Sequence, residues 1–198
     1  MIVRMWMSKP VITVSPLSSV AEAALLMGKH RIRRVVAADT GPSGDVRVRG
    51  IVSKHDVLHA YPSHINPFLQ EPLEPDSLPK VSEIMTPNVL SIHPDAPVED
   101  AAIILRDRKI GALPVMLDRK LVGIITESDI FKALTRILIG SEETLRITFD
   151  VSEDEALLPM VTEQARRHKV SITSVVAFEW KKKHMAVIRV NGGHLRTF

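Results

Sequence analysis

The chain contains no cysteine. Disulfides, zinc–thiolate centres and thiol nucleophiles are therefore excluded, and the absence is consistent with a reducing compartment. Aromatic residues make up only 4%, so a core has to be built from Val, Ile, Leu, Ala and Met. No apolar run approaches the roughly 20 residues that a membrane helix needs, and Met1–Pro10 lacks the long apolar stretch of a secretory signal. The expectation is a cytoplasmic protein with no membrane partner. Charge of neither sign dominates. The formal net charge is +3 with both signs spread along the chain, which reads as a mixed solvated surface rather than a nucleic-acid-binding one. What is present is an ordinary globular balance, 45% apolar and 25% charged over 198 residues, enough for one or two domains with a real core.

The dominant feature is an internal repeat. Met7-Ser8 recurs as Met85-Thr86, Val11–Pro16 as Val89–Pro94, and Val20, Ala23 and Ala24 as Val98, Ala101 and Ala102. Gly50–Val57 recurs as Gly123–Ile130. The offset is 78 positions in the first blocks and 73 in the last, so the first copy carries five extra residues, which fit within Asp39–Arg49. That stretch holds Gly41-Pro42-Ser43-Gly44, a turn sequence where a hairpin lengthens at little cost.

Each copy reads as strand, helix, strand, strand, helix. In the first, Val11–Val14 is a β-branched run ended by Pro16. Ser19-Val20-Ala21-Glu22 is a capping box, followed by apolar residues at helical spacing (Val20, Ala23, Ala24, Met27). Arg34–Ala38 and Arg47–Val52 read as a hairpin, and Ser53 opens a second helix. The second copy gives Val89–Ile92, Val98–Arg108, Leu113–Leu117, Leu121–Ile125 and a helix from Thr126 towards Ile139. One copy alone leaves an apolar sheet face open, and two packed together cover it. Between them, prolines at 62, 67, 72, 75 and 79 exclude a helix or central strand from Tyr61–Lys80. The expected organisation is a first repeat over 1–60, a linker over 61–80, a second repeat over 81–140 and a further region over 141–198.

The Met-(Ser/Thr) openings, the Ile110-Gly111-Ala112-Leu113-Pro114-Val115 strand entry and the two Gly-x-x-(Ser/Thr)-x-x-Asp endings resemble the CBS-domain family. The resemblance covers roughly residues 1–140. It implies a Bateman module: two repeats related by a pseudo-twofold axis, binding AMP, ATP or a related adenosyl ligand in clefts between them. The Gly-x-x-(Ser/Thr)-x-x-Asp element also has a mechanism of its own. Ser53 and Thr126 stand at helix N-termini, where free N–H groups and the dipole favour an anion. Asp56 and Asp129 can accept hydrogen bonds from both ribose hydroxyls. The same residues form a capping-box pattern that is useful with no ligand present.

The family resemblance implies further site residues. Thr13-Val14-Ser15 and Ser91-Ile92-His93 match the segment that holds adenine, although Val14 and Ile92 equally suit a core. Arg33 and Arg34 stand where nucleotide-binding members carry a basic pair facing phosphates, with surface arginines as the alternative. The second copy has Gly111 and Ala112 there, followed by Leu113 and Pro114. With Arg33 and Arg34 grouped beside Ser53 and Asp56 in the first copy, the two clefts are expected to differ.

After Gly140 the pattern changes. Leu145–Val151 alternates as a strand, and Glu155–His168 is helical with Leu158, Val161 and Ala165 on one face. Ile172–Trp180 and Met185–Val190 read as strands joined by Lys181-Lys182-Lys183-His184. This order, with Lys169–Val175, resembles the start of an ACT domain. The glycine usual in that family's ligand loop is replaced by Ser152-Glu153-Asp154-Glu155-Ala156, and the chain stops at Phe198, too early for the last helix and strand. A partner-facing sheet is expected there rather than an amino-acid site. The fold class is therefore α/β (α+β): a tandem CBS pair plus a small, incomplete ACT-like (ferredoxin-like) βαββ region. A CBS pair followed by such a region, together with Ala60-Tyr61-Pro62-Ser63, resembles the bacterial acetoin-utilization accessory proteins.

Enzymatic signals are weak. His55 and His59 stand at i, i+4 on a predicted helix, but no third metal ligand has recognisable spacing. No serine sits in a nucleophile elbow. Trp180 beside the Lys181–His184 tip reads as a solvated turn rather than a nucleic-acid contact. The expectations are a regulatory, non-enzymatic module, an adenine nucleotide or S-adenosylmethionine as regulatory ligand with no other cofactor, a homodimer, and a target protein that the sequence does not name. The alternative is a structural adaptor with empty clefts.

Overall fold

The computed structural model describes residues 1–41, 46–61, 66–68, 78–139, 144–151 and 157–192. The turn residues Pro42–Gly44, most of the Pro-rich linker, the loop Ser152–Ala156 with the expected start of the last helix, and the C-terminal end to Phe198 lie outside the described residues. Two compact units are present, Met1–Ile130 and Phe131–Phe198.

The first copy consists of β1 (Thr13–Val14), α1 (Val20–His30), β2 (Arg34–Thr40), β3 (Val46–Ser53) and α2 (Lys54–Ala60). The Ser19 hydroxyl accepts the Glu22 N–H, and Arg31 closes α1 in the left-handed conformation at φ 52. Val20, Ala23, Ala24 and Met27 turn inward and meet Val35, Ala37, Val52 and Val57 in one buried cluster. With so few aromatics, close approach of small side chains forms this core. The second copy repeats the plan with α3 (Val81–Ile84), β4 (Thr86–Pro87), α4 (Val98–Asp107), β5 (Ala112–Leu117), β6 (Lys120–Thr126) and α5 (Glu127–Ile139). Both hairpins carry a register shift at matching positions, Ala37/Ala38 and Val115/Met116.

Two expected strands are shorter than the sequence reading. Val11–Val14 reduces to β1, paired parallel to β2, and Val89–Ile92 reduces to one bridge between Ile92 and Val115. The second contraction has a chemical cause. Val36 donates its N–H to the Ile12 carbonyl at 3.3 Å, but its counterpart is Pro114, which has no N–H to give.

The first strand-order surprise is β4. It belongs to the second copy by sequence, yet it extends the sheet of the first, in the order β1-β2-β3-β4, with Gly50 opposite Pro87 and Ile51 opposite Thr86. The first copy returns the contact. Ser8 donates its N–H to the Ile124 carbonyl at 2.8 Å and accepts from the Ile124 N–H at 3.2 Å. Further upstream, Val3 and Arg4 donate to the Ala96 and Pro94 carbonyls, while Val81 and Ser82 donate to those of Ser18 and Pro16. Arg4 also grips Asp95 with two hydrogen bonds of 2.8 Å each. Each copy thus docks its leading segment on the other, as a pseudo-twofold axis requires. Between them, Val36, Ala38, Ile51 and Ala112 form a shared apolar cluster with Val11, Val89 and Ile124 against it.

The second unit contains β7 (Leu145–Asp150), α6 (Leu157–Arg167), β8 (Ser171–Trp180) and β9 (Lys183–Asn191), in an antiparallel sheet of order β7-β9-β8. Ala186, Ile188 and Val190 alternate onto the face covered by Val161 and Ala165. The hairpin turn is tighter than expected. Lys181 and Lys182 alone form it, both at positive φ (50 and 66), while Lys183 and His184 join β9. A two-residue turn with both φ positive matches strand twist, and a four-residue one is not required. The boundary between the units falls inside α5, earlier than the change of pattern after Gly140.

The interlock rests on close approach at two glycines. A Cβ on Gly50 would stand 2.7 Å from both the Met85 Sδ and the Thr86 carbonyl oxygen, whereas a Cβ on Gly123 would meet only the Met7 side chain. Backbone cannot yield as a flexible thioether can. Gly50→Ala is expected to destabilise the protein by about 1–3 kcal/mol and Gly123→Ala by clearly less, measured by urea unfolding. Equal losses would contradict this account.

Candidate functional site

Both expected capping boxes form. The Ser53 N–H and hydroxyl each donate to Asp56 Oδ2 at 2.7 Å, and the Asp56 N–H donates to Ser53 Oγ at 3.3 Å. The Thr126 N–H and hydroxyl donate to Asp129 Oδ2 at 2.9 and 2.7 Å, and the Asp129 N–H returns to Thr126 Oγ1 at 3.3 Å. One carboxylate oxygen is committed to the cap in each case. The other, Oδ1, takes no hydrogen bond among the described residues and remains an acceptor for a ligand hydroxyl. The helix start is tied to the neighbouring strand in the same way in both copies, by Lys54 N–H to the Arg33 carbonyl and by Glu127 N–H to that of Gly111.

The arginine pair lies elsewhere than the sequence grouping placed it. Arg33 donates to the Ser128 Oγ at 2.7 Å, and the Arg34 guanidinium stands 3.8 Å from Glu127 Oε2. Both therefore cross from the first copy to the first turn of α5 in the second, beside Thr126 and Asp129 rather than Ser53 and Asp56. Gly111 explains why only one copy carries the arginines. A Cβ there would collide with the Arg34 guanidinium, so the pseudo-twofold relation leaves room for a long side chain from one side only. The resulting cleft has a volume of about 230 Å³ and is lined by Val11, Ile12, Arg33, Arg34, Thr126 and Asp129, with Ser128 at its edge.

Other expected residues are placed differently. The wall of the cleft is Val11-Ile12, just upstream of Thr13-Val14-Ser15. Val14 is buried in the core of the first copy, Thr13 is paired in β1, and the Ser15 Oγ accepts the Leu17 N–H at 3.2 Å. Ile92 is buried, and His93 Nδ1 accepts the Asp95 N–H at 3.2 Å. Leu113 is fully buried and Ala112 nearly so. Ser91 and Pro114 line a different cavity, between the hairpins. His59 Nδ1 lies 3.0 Å from the His55 carbonyl. A carbonyl only accepts, so this nitrogen carries the proton and is not a metal ligand there. Sequence reasoning missed Glu127 and Ser128. The variable positions inside Thr126-Glu127-Ser128-Asp129 were their only visible trace.

The CBS-domain model matches residues 3–63 and 81–136, and the chain belongs to the CBS-domain family. A CBS domain-containing protein of Dictyostelium discoideum is 34% identical over 69% of this chain and 93% of its own length. The L-aspartate semialdehyde sulfurtransferase of Methanocaldococcus jannaschii is 32% identical over 63% of this chain, but only 21% of that enzyme is covered. Among solved structures, the CBS domain pair of protein MJ0100 in complex with 5′-methylthioadenosine and S-adenosyl-L-methionine matches at TM-score 0.54 and 32% identity, covering 68% of this chain and 95% of that one. A putative acetoin utilization protein (AcuB) from Vibrio cholerae matches at TM-score 0.58 and 30% identity, covering 72% and 98%. CBSX2 in complex with AMP matches at TM-score 0.54 and 26% identity, covering 69% and 97%.

The caps carry stability whether or not a ligand binds. Ser53→Ala and Thr126→Ala should each lower the unfolding free energy by about 0.5–2 kcal/mol, measured by denaturant titration of the ligand-free protein. No loss in either would show that the boxes do not hold the helices.

Proposed function

We propose that this chain is a regulatory sensor of an adenine nucleotide, and that the Thr126–Asp129 cleft is its charged site. The observation that carries this reading is the convergence of Arg33 and Arg34 on the first turn of α5. Two guanidinium groups, a helix N-terminus and an outward carboxylate oxygen are complementary to phosphate and ribose, respectively. Val11 and Ile12 provide an apolar wall for a base. The MJ0100 and CBSX2 pairs, crystallised with adenosyl ligands, support the ligand class. At about 230 Å³ the cleft is below the ~300 Å³ at which small-molecule pockets usually begin. Ligand entry therefore exchanges the Arg33–Ser128 and Arg34–Glu127 contacts for contacts to phosphate, and this exchange is the conformational signal. With both arginine side chains turned to α5, the Ser53–Asp56 cap is proposed for an adenosyl ligand of lower negative charge.

The remaining parts of the reading concern the wider protein. Its output is control of a metabolic pathway through a target protein, in the cytoplasm and without turnover. No helix among the described residues is long and apolar enough to cross a membrane. Likeness to AcuB makes acetoin catabolism the first pathway to examine. The βαββ order of the second unit supports an ACT-like region that presents its sheet to a partner. Exposed Leu25 on α1 and Leu58 on α2 support pairing of two copies through helices.

Calorimetry separates the cleft contacts. Arg34→Ala is expected to weaken ATP more than adenosine by about 1.5–3 kcal/mol. Asp129→Asn, which retains an acceptor for the cap, should weaken adenosine as well. Equal loss for ATP and adenosine in Arg34→Ala would remove the phosphate role, and unchanged binding in Asp129→Asn would remove the cleft. For the dimer, sedimentation at micromolar concentration should give twice the chain mass, and Leu25→Glu/Leu58→Glu should shift it towards monomer. A monomer in the unaltered protein would contradict the pairing.

A further inference from the structure

A second and larger cavity, about 1240 Å³, lies between the two hairpins. It shares no lining residue with the Thr126–Asp129 cleft. Its first wall comes from the start of β3, through Val46, Arg47, Val48 and Arg49. Its second wall comes from the end of the shorter hairpin, where Asp118 and Arg119 turn the chain at positive φ (46 and 65). In the described residues the first hairpin pairs one step further than the second, to Thr40 opposite Val46, where the second ends at Leu117 opposite Lys120.

The charge of this cavity is unbalanced. Arg49 is neutralised by Asp39 at 2.6 Å. Arg47, Arg119 and Lys120 also line it, and none of the three has an ion pair among the described residues. Asp118 is the one remaining acid among the described lining residues. Beneath these cations the surface is aliphatic, with Val46, Val48, Val89 and Met116 half-buried. Among the described residues no aromatic side chain lines it, which argues against a single nucleic-acid strand, because such strands are held by base–aromatic stacking. The volume exceeds the ~1,000 Å³ upper end for ordinary small-molecule pockets and suits an elongated ligand.

We propose that this cavity binds an amphipathic organic phosphate, its phosphate groups held by Arg47, Arg119 and Lys120 and its aliphatic arm laid over Val46, Val48 and Met116. The site is independent of the nucleotide cleft. The test is calorimetry on the full chain with geranyl diphosphate as probe and inorganic tripolyphosphate as the charge-only control. Geranyl diphosphate should bind measurably tighter than tripolyphosphate. Arg47→Ala/Arg119→Ala should weaken it by about tenfold or more, since losing one charged hydrogen bond alone reaches that size. These side chains are exposed, and an unchanged melting temperature would establish that the double variant is folded. Asp129→Asn should leave geranyl diphosphate binding unchanged. Absence of binding, equal affinity for tripolyphosphate, or indifference to the double arginine change would each overturn the proposal. Loss of the probe in Asp129→Asn would also overturn it, by placing the probe in the nucleotide cleft.

Discussion

Each repeat carries a leading segment whose backbone its own sheet does not pair. Among the described residues the Ser8 N–H and C=O pair with Ile124, and Thr86 and Pro87 pair with Ile51 and Gly50. These exchanged pairings flank the buried apolar cluster of Val36, Ala38, Ile51 and Ala112, which neither copy forms alone, so backbone pairing and apolar burial together hold the copies as a pair. Gly50 and Gly123 permit the approach, and Met85 and Met7 fill the space beside them. The composition of every cleft follows from this exchange. It carries Val11 and Ile12 across to the strand that leads into Thr126, and it brings Arg34 against Gly111.

The caps and the proposed ligand contacts are the same four residues, Ser53, Asp56, Thr126 and Asp129. Asp56 and Asp129 each commit one oxygen to the helix start and turn the other outward. Holding the carboxylate in the cap fixes its rotamer before a ligand arrives, which removes part of the ordering cost of binding. Arg33 and Arg34 differ in kind. Their partners Ser128 and Glu127 are exposed and exchangeable, and an exposed ion pair contributes little on its own. In the proposed site the cap is therefore the stable part and the arginine pair the exchangeable part.

The pseudo-twofold relation is broken at two places, and both have a chemical reading. Arg34 occupies the space that a side chain at residue 111 would need, so the second copy has no room for an arginine there. The two hairpins also differ in the charge they set along their shared cavity: Arg47 and Lys120 stand at equivalent positions, paired with Asp39 and Leu117 respectively. Duplication supplies the interlock, and later divergence between the copies supplies the difference in chemistry.

Most secondary structure was legible in the sequence because its causes are local. The Ser19 cap, the spacing of Val20, Ala23, Ala24 and Met27, and the β-branched runs of the hairpins act within a few residues. The capping residues Ser53, Asp56, Thr126 and Asp129 were legible for the same reason. The shortened strand at Ile92 was legible only in hindsight, since the missing hydrogen bond depends on which residue pairs with Pro114. What the sequence alone determined was the duplication, the family and the caps. What only the tertiary structure decided was which copy supplies each wall: Arg33 and Arg34 to Thr126 and Asp129, β4 to the sheet of the first copy, Ser91 and Pro114 to the hairpin cavity. Alignment of two repeats orders residues along the chain, but a twofold exchange pairs each copy with the other, and that pairing is set by contacts between residues far apart in sequence: Ser8 with Ile124, Thr86 with Ile51, and the shared cluster of Val36, Ala38, Ile51 and Ala112.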